Sequence, residues 1–403
     1  MWEQLTLNFL KKYCARLKLR LLVISHTPNY QYMGTISAWG STVRELDQLA
    51  SLFDELVHLA PLHAGIPPGS SLAYSNSKIS FVPVKPAGGG RFKDKLSIIG
   101  QIPAWLAAMK KEIKEADAIH IRCPAGISLV ALFAQRMWGR GKPTWVKYAG
   151  NWKPEKLESQ TYKIQRLWLR QNYHQGVVTV NGSWSDQPEH IVTFNNPSFS
   201  RAEWVQSKGE VEEKYLSFPL NLLFVGRVDE GKGIGKVLTI ASRLSNEGVS
   251  FHLDIIGDGP DKLHYEVLAR QHDLAEQVTF LGWRNRLELN DFYRDAHFIL
   301  LPTLSEGWPK VLSEAMSYGV VPLSTAVSSI PQILTRAQTG RAIPAGDIEA
   351  YVKAIIGYTE DPSTWQRESK NSVVAAEAFT YENYLKAVSK LFNTRWKLEL
   401  GIS

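Results

Sequence analysis

The chain has 403 residues, enough for two or three domains of roughly 100–200 residues each, and its 44% hydrophobic content supports packed cores and excludes a disordered chain. Its 46 basic and 39 acidic residues leave a net charge of +7, a mild excess that does not call for nucleic acid. Two cysteines, Cys14 and Cys123, exclude a disulfide framework and a cysteine metal cluster and fit a reducing cytoplasm; no apolar run reaches the ~18 residues of a membrane span.

The basic residues are unevenly placed. Met1–Arg20 carries five Lys/Arg and one Glu, and Arg136–Arg170 carries nine against Glu155 and Glu158. Such concentration suits an anionic partner (a membrane surface, a lipid phosphate or an anionic glycan); the alternative is a solvated basic face. The N-terminus is not a secretory signal, because Leu5–Leu10 is too short an apolar core and the basic cluster follows it. It reads as a short amphipathic helix with a basic end, suited either to peripheral membrane contact or to packing on the first domain.

Along the chain, short apolar runs alternate with helical periods. The first half predicts strands at 19–25, 56–60, 79–84, 118–123, 144–149 and 177–181, with helices at about 40–52, 97–115, 125–137 and 159–171. The Gly-rich stretch 85–95 lacks P-loop spacing and reads as a mobile surface loop. A polar, turn-rich stretch, 194–218, reads as the linker, with the boundary near 205–218. The second half predicts strands at 221–227, 251–257, 278–282, 297–302 and 320–325, and helices at about 234–247, 260–273, 287–294, 310–318 and 347–359. Near-continuous apolar strands joined by crossover helices mean parallel sheets covered on both faces. The expected fold class is α/β: two doubly wound, Rossmann-like domains, 1–210 and 211–375, facing across a cleft. Ligands of such sheets lie at the carboxyl ends of the strands.

Three strand ends carry candidate chemistry. In "FVGRVDEGKGIGKVL" a strand ends at Gly226; Arg227, Lys232 and a glycine loop precede a helix whose N-terminus offers free N–H groups. This arrangement suits a diphosphate, or else is a tight turn with solvated charges. Gly257-Asp258-Gly259-Pro260 repeats the pattern, mostly as punctuation, with Gly257 at the cleft end of its strand. In "SEGWPKVLSEAM" Pro309 belongs to the first turn of a helix, so Glu306 stands on the preceding loop and Glu314 over a turn further along. Acceptors for hydroxyls at Glu306 and Glu314, beside donors for anions, suit a nucleotide sugar.

The ordered motifs "FVGRVDEGKG", "IIGDGPDK", "VTFLGW" and "LPTLSEGWPKVLSEAMSYGVVPLST" resemble the retaining GT-B glycosyltransferases of family 4, over about 221–360. Glu306 and Glu314 match their Glu-x7-Glu signature. The resemblance implies that Arg227 and Lys232 hold the donor diphosphate, Glu314 binds the ribose hydroxyls, and Glu306 contacts the donor sugar near the reacting centre. It implies donor contacts from Gly226, Gly257 and Gly307, and from the backbone of Trp308, Pro309, Lys310 and Val311. Pro309 and Lys310 stand where many members have another glycine. It also implies a final helix, about 376–403, that joins the first domain.

The first half matches more loosely. The family's Gly-Gly pair near the donor phosphate reads Trp39-Gly40 here, with Gly34 as an alternative. The family histidine after a mid-domain strand is missing, and Ala149 stands nearest its place. Lys147, Tyr148, Asn151 and Trp152 are the groups available there for an acceptor. For Asn151 and Trp152 the alternatives are sugar recognition or a turn and core packing. His26 and Asn29 are further acceptor-side candidates, with loop stabilisation as the other reading.

The resemblance implies an enzyme that moves a sugar, with retention, from a UDP- or GDP-linked donor to a glycan or lipid-linked acceptor in cell-surface polysaccharide or glycolipid synthesis. The expected location is the cytoplasm, at the inner face of the membrane. No Asp-x-Asp pair appears, so neither an essential metal nor a cofactor is expected. A glycosidase carboxylate pair would have no use for a diphosphate cradle. The missing histidine and altered glycine pair keep one alternative open: a catalytically silent nucleotide-sugar-binding subunit or scaffold.

Overall fold

The computed structural model describes residues 18–88, 92–154, 158–211 and 214–401. The basic N-terminal segment read from the sequence therefore falls, up to residue 17, outside the described residues. The chain forms two compact units. The first runs to Val146 and takes in Tyr173–Gly176 and the chain from Ser389; the second comprises Lys147–Asn172 and Val177–Val388.

In the first unit the strands are β1 (Arg20–Ile24), β2 (Asn29–Tyr32), β3 (Thr35–Trp39), β4 (Glu55–His63), β5 (Ser71–Ala73), β6 (Ile79–Val84), β7 (Ala118–Cys123) and β8 (Thr144–Tyr148). They lie in the order β8-β7-β1-β4-β2-β3-β5, with β6 also on β4. Leu22 of β1 stands opposite Val57 of β4 and Ile119 of β7, all in parallel register. Leu21, Leu22, Val23 and Ile24 are fully buried, as a strand covered on both faces requires. Helices α1 (Gly40–Leu49), α2 (Phe92–Glu115) and α3 (Gly126–Trp138) connect them. The β2–β3 hairpin, absent from the sequence reading, turns through Met33 (φ 47°) and Gly34 (φ 78°), the left-handed pair of a primed two-residue turn. Gly34 is thus a hairpin residue.

The second unit contains α4 (Gln160–Arg170), the parallel pair β9 (Val177–Val180) and β10 (Ile191–Thr193), and α5 (Arg201–Gly209). The expected linker thus includes a packed helix. Its start is a capping box, in which the Ser200 hydroxyl accepts from the Glu203 amide and the Glu203 carboxylate accepts from the Ser200 amide. Trp204 anchors it by donating its indole N–H to the Val373 carbonyl at 2.9 Å.

A parallel six-stranded sheet follows: β11 (Leu220–Val225), α6 (Ile234–Asn246), β12 (Phe251–Ile256), α7 (Lys262–Gln271), β13 (Val278–Gly282), α8 (Arg286–Asp295), β14 (Phe298–Leu301), α9 (Lys310–Ser317), β15 (Val321–Thr325), α10 (Ile330–Ala337) and β16 (Arg341–Ile343). Helices α11 (Ile348–Glu360), α12 (Pro362–Ala376) and α13 (Tyr381–Trp396) complete the fold. The strand order is β13-β12-β11-β14-β15-β16. It grows one way from β11 and then reverses with β14, so the crevice of a doubly wound sheet opens between the carboxyl ends of β11 and β14. Along α13, Tyr384 packs against Phe194 in the second unit, and Phe392 against Phe53 and Trp145 in the first. Among the described residues no helix is long and apolar enough to cross a membrane.

Candidate functional site

The loops after β11 and β14 are bound to each other at the reversal of strand order. Arg227 leaves β11 exposed and pairs with Asp229 at 2.8 Å. Asp229 also accepts from the Lys232 amide at 3.0 Å, closing a single tight turn over Glu230–Lys232. That turn aims Lys232 across to the β14 loop, where its ammonium pairs with Glu306. The Leu304 amide and the Thr303 hydroxyl both donate to the Gly231 carbonyl, at 3.0 and 3.2 Å. Helices α6 and α9 start beside these loops, with Gly233 and Pro309 as their N-terminal caps, and neither has a side-chain cap. No capping side chain competes there, which suits an anion at either helix start.

Gly257 and Gly307 are among the glycines that close approach requires. A Cβ on Gly257, whose φ is 139°, would stand 1.8 Å from the Gly226 carbonyl oxygen. The predicted donor-side pair Gly226 and Gly257 thus lets the β11 and β12 loops touch backbone to backbone. A Cβ on Gly307 would stand 2.0 Å from the Ala149 carbonyl oxygen. The Gly307 carbonyl in turn accepts from the Ser329 hydroxyl at 2.8 Å. The loop carrying Glu306 therefore rests on the backbone of Ala149, the position where the resemblance placed a missing histidine.

Pro309 does separate the two glutamates. Glu314 lies on α9 and takes Arg286 on one carboxylate oxygen at 2.9 Å and the Tyr293 hydroxyl on the other at 3.2 Å. Arg286 reaches Glu203 as well, at 3.1 Å. Burial opposes the charge on Arg286, but the Glu314 and Glu203 carboxylates outweigh it and hold the guanidinium protonated. Burial, reinforced by the Glu314 charge, keeps the Tyr293 phenol neutral. A cavity of about 20 Å³ adjoins this group, space for one water. Arg286, Tyr293 and Glu203 were missed by sequence reasoning. The available signal was the Asn285–Glu288 capping box, which places Arg286 at the first helical position.

Several predicted residues have other tasks. The Trp308 side chain turns into the core and stacks on Phe379, with centroids 5.1 Å apart and planes at 8°. Pro309 is buried, and Lys310 and Val311 are half-buried. Gly40 donates its N–H to the Ser70 carbonyl at 2.9 Å, so its close approach is to β5 rather than to open space. Lys147 is buried with its ammonium 5.5 Å from the Tyr384 ring centre. Tyr148 and Trp152 are 1% and 4% exposed and pack edge to face, so Trp152 presents no ring face to a sugar. Asn151 accepts from the Lys153 amide, a local turn.

His26 is exposed just beyond β1, but Asn29 is fully buried. Asn29 accepts from the Tyr74 hydroxyl, so the Tyr74 oxygen must accept from His58 Nδ1–H, which leaves His58 Nε2 to accept from Ser25. Burial and the Arg122 charge push the His58 pKa down to about 3, so this chain is neutral and serves to tie the loop after β1 to β4, to Tyr74 just beyond β5 and to the start of β2.

Residues 203–374 match the family model for glycosyl transferases group 1. Over 148 residues the chain is 29% identical to the putative colanic acid biosynthesis glycosyltransferase WcaL of Escherichia coli, covering 35% of this chain. The match spans only 36% of that relative's own length. Sucrose-phosphate synthase from Thermosynechococcus elongatus superposes with a TM-score of 0.69 at 16% identity, over 94% of this chain and 99% of that one. Anabaena HepE in complex with UDP and glucose gives 0.67 at 13% identity, over 93% and 100%. The chain thus has the fold of the GT-B glycosyltransferases, and its residues 203–374 are similar to the glycosyl transferases group 1 family.

Proposed function

We propose that this protein is a retaining, metal-independent glycosyltransferase that moves a sugar from a nucleoside-diphosphate sugar to a glycan or lipid-linked acceptor in polysaccharide or glycolipid synthesis. The observation that carries the reading is the Lys232–Glu306 pair joining the loops after β11 and β14, where the strand order reverses. Arg227, Lys232 and the uncapped starts of α6 and α9 put positive charge where a departing diphosphate gathers negative charge. Glu306 is left to read the sugar, and Glu314, held by Arg286 and Tyr293, the ribose hydroxyls. The UDP in HepE, a protein of the same fold, supports a nucleotide donor. WcaL, a relative through the matching segment, supports a polysaccharide setting. The test is release of nucleoside diphosphate from a panel of UDP- and GDP-sugars with candidate acceptors. Release unaffected by EDTA, with a product of retained configuration, is the expected result. No release with any donor would leave a silent binding subunit as the reading.

The proposed acceptor side meets an anionic membrane. Helix α3 exposes Phe133 (50%) and Met137 (53%) one turn apart, with Arg140 exposed beyond its end. No acidic residue occurs between Asp117 and Glu155. An apolar stripe on a stretch of chain that carries basic but no acidic residues suits in-plane binding to anionic lipid. Exchanging both Phe133 and Met137 for serine should cut sedimentation with vesicles containing phosphatidylglycerol by about fivefold or more. Equal sedimentation of variant and wild type would dismiss this surface.

A further inference from the structure

Both cations of the proposed diphosphate cradle already face carboxylates of their own chain. For Arg227 the partner is Asp229, a neighbour in the same turn. For Lys232 it is Glu306, which arrives from the β14 loop, 74 residues away. Exposure separates the pairs too. The Arg227 side chain is 65% exposed, whereas Lys232 is 34% and Glu306 15% exposed. An ion pair partly withdrawn from water is screened less than one on the open surface.

A carboxylate on a lysine occupies the place of a phosphate oxygen, since both are oxyanions accepting a charge-assisted N–H bond. Both cannot hold the same ammonium direction, and a carboxylate left in contact with a diphosphate is repelled by it. We propose that Glu306 is a built-in competitor for the donor diphosphate. It holds Lys232 while the site is empty, yields it when the donor binds, and retakes it as the nucleoside diphosphate leaves. The inference rests on the donor-site reading above and goes beyond it. With the intact donor bound, sugar hydroxyls satisfy the displaced carboxylate. Once the sugar has been transferred those hydroxyls are gone, and return to Lys232 is the better bond. Glu306 thereby favours the sugar-bearing nucleotide over the spent one and hastens product release.

The test is calorimetric titration of UDP and of GDP into the wild type and into Glu306→Gln, Glu230→Gln and Lys232→Ala, with nucleotide release rates by stopped flow. Glutamine keeps the size of Glu306 but surrenders its charge. Glu306→Gln should bind the nucleoside diphosphate about three- to tenfold tighter than wild type and release it correspondingly more slowly, although transfer is impaired. Glu230 is exposed on the same turn and touches no cradle cation, so Glu230→Gln should leave affinity unchanged. Equal or weaker binding by Glu306→Gln, or equal tightening by Glu230→Gln, would overturn the competitor role. Failure of the donor site itself looks different: neither nucleotide binds the wild type, or Lys232→Ala binds as well as wild type.

Discussion

Lys232→Ala should weaken nucleoside diphosphate binding by at least about tenfold and lower kcat/KM for transfer by about 100-fold or more. Lys232 is the partly enclosed cation of the cradle, and the turn capped by Asp229 aims it across the crevice. Its loss removes a charge-assisted contact to the ground-state diphosphate. It removes still more from the transition state, in which the leaving diphosphate carries extra charge. It also leaves Glu306 without its partner, facing the incoming phosphates. Arg227 is far more exposed, so Arg227→Ala should follow in the same direction with a smaller loss. Titration calorimetry and steady-state kinetics on both variants give the ratio. Affinity unchanged in both would remove the cradle from this loop.

Gly307→Ala should destabilise the second unit by about 3 kcal/mol and depress transfer with it, because the new methyl group meets a backbone carbonyl rather than a side chain that can turn away. The Ala149 oxygen would lie 2.0 Å from it. Relief requires a shift of the segment at Ala149 or of the loop bearing Glu306. The contrast is Gly357→Ala in the last turn of α11, where a Cβ meets nothing within 4 Å. There alanine should add about 0.5–1 kcal/mol by its helix propensity. Denaturant melts of the two variants against wild type decide the matter. A Gly307→Ala protein as stable and active as wild type would mean that the loop does not depend on this contact.

What was legible in the sequence follows from how local each signal is. Strands β1, β11 and β14 are nearly unbroken apolar runs, and a run buried on both faces needs no partner to be recognised. Strands β2, β3, β5 and β16 are short and partly exposed, so their pairing exists only in three dimensions. Helix α5 carried its capping box in plain view at Ser200 and Glu203, yet its polar surroundings read as linker. The division between Glu306 and Glu314 was legible because proline acts on its own neighbours. Their partners were not, since Lys232 lies 74 residues from Glu306 and Arg286 lies 28 from Glu314. Trp308 and Trp152 show the same limit. An aromatic residue beside a functional loop looks alike in sequence whether its ring meets a ligand or, as here, Phe379 and Tyr148.

The most direct measurement is a crystal structure of the protein grown with a nucleoside diphosphate. The diphosphate is expected at the carboxyl ends of β11 and β14. Its oxygens should lie about 3 Å from the Lys232 ammonium and from amides at the starts of α6 and α9, with Glu306 released from the lysine. A nucleotide bound elsewhere on the chain, with Lys232 still paired to Glu306, would contradict it.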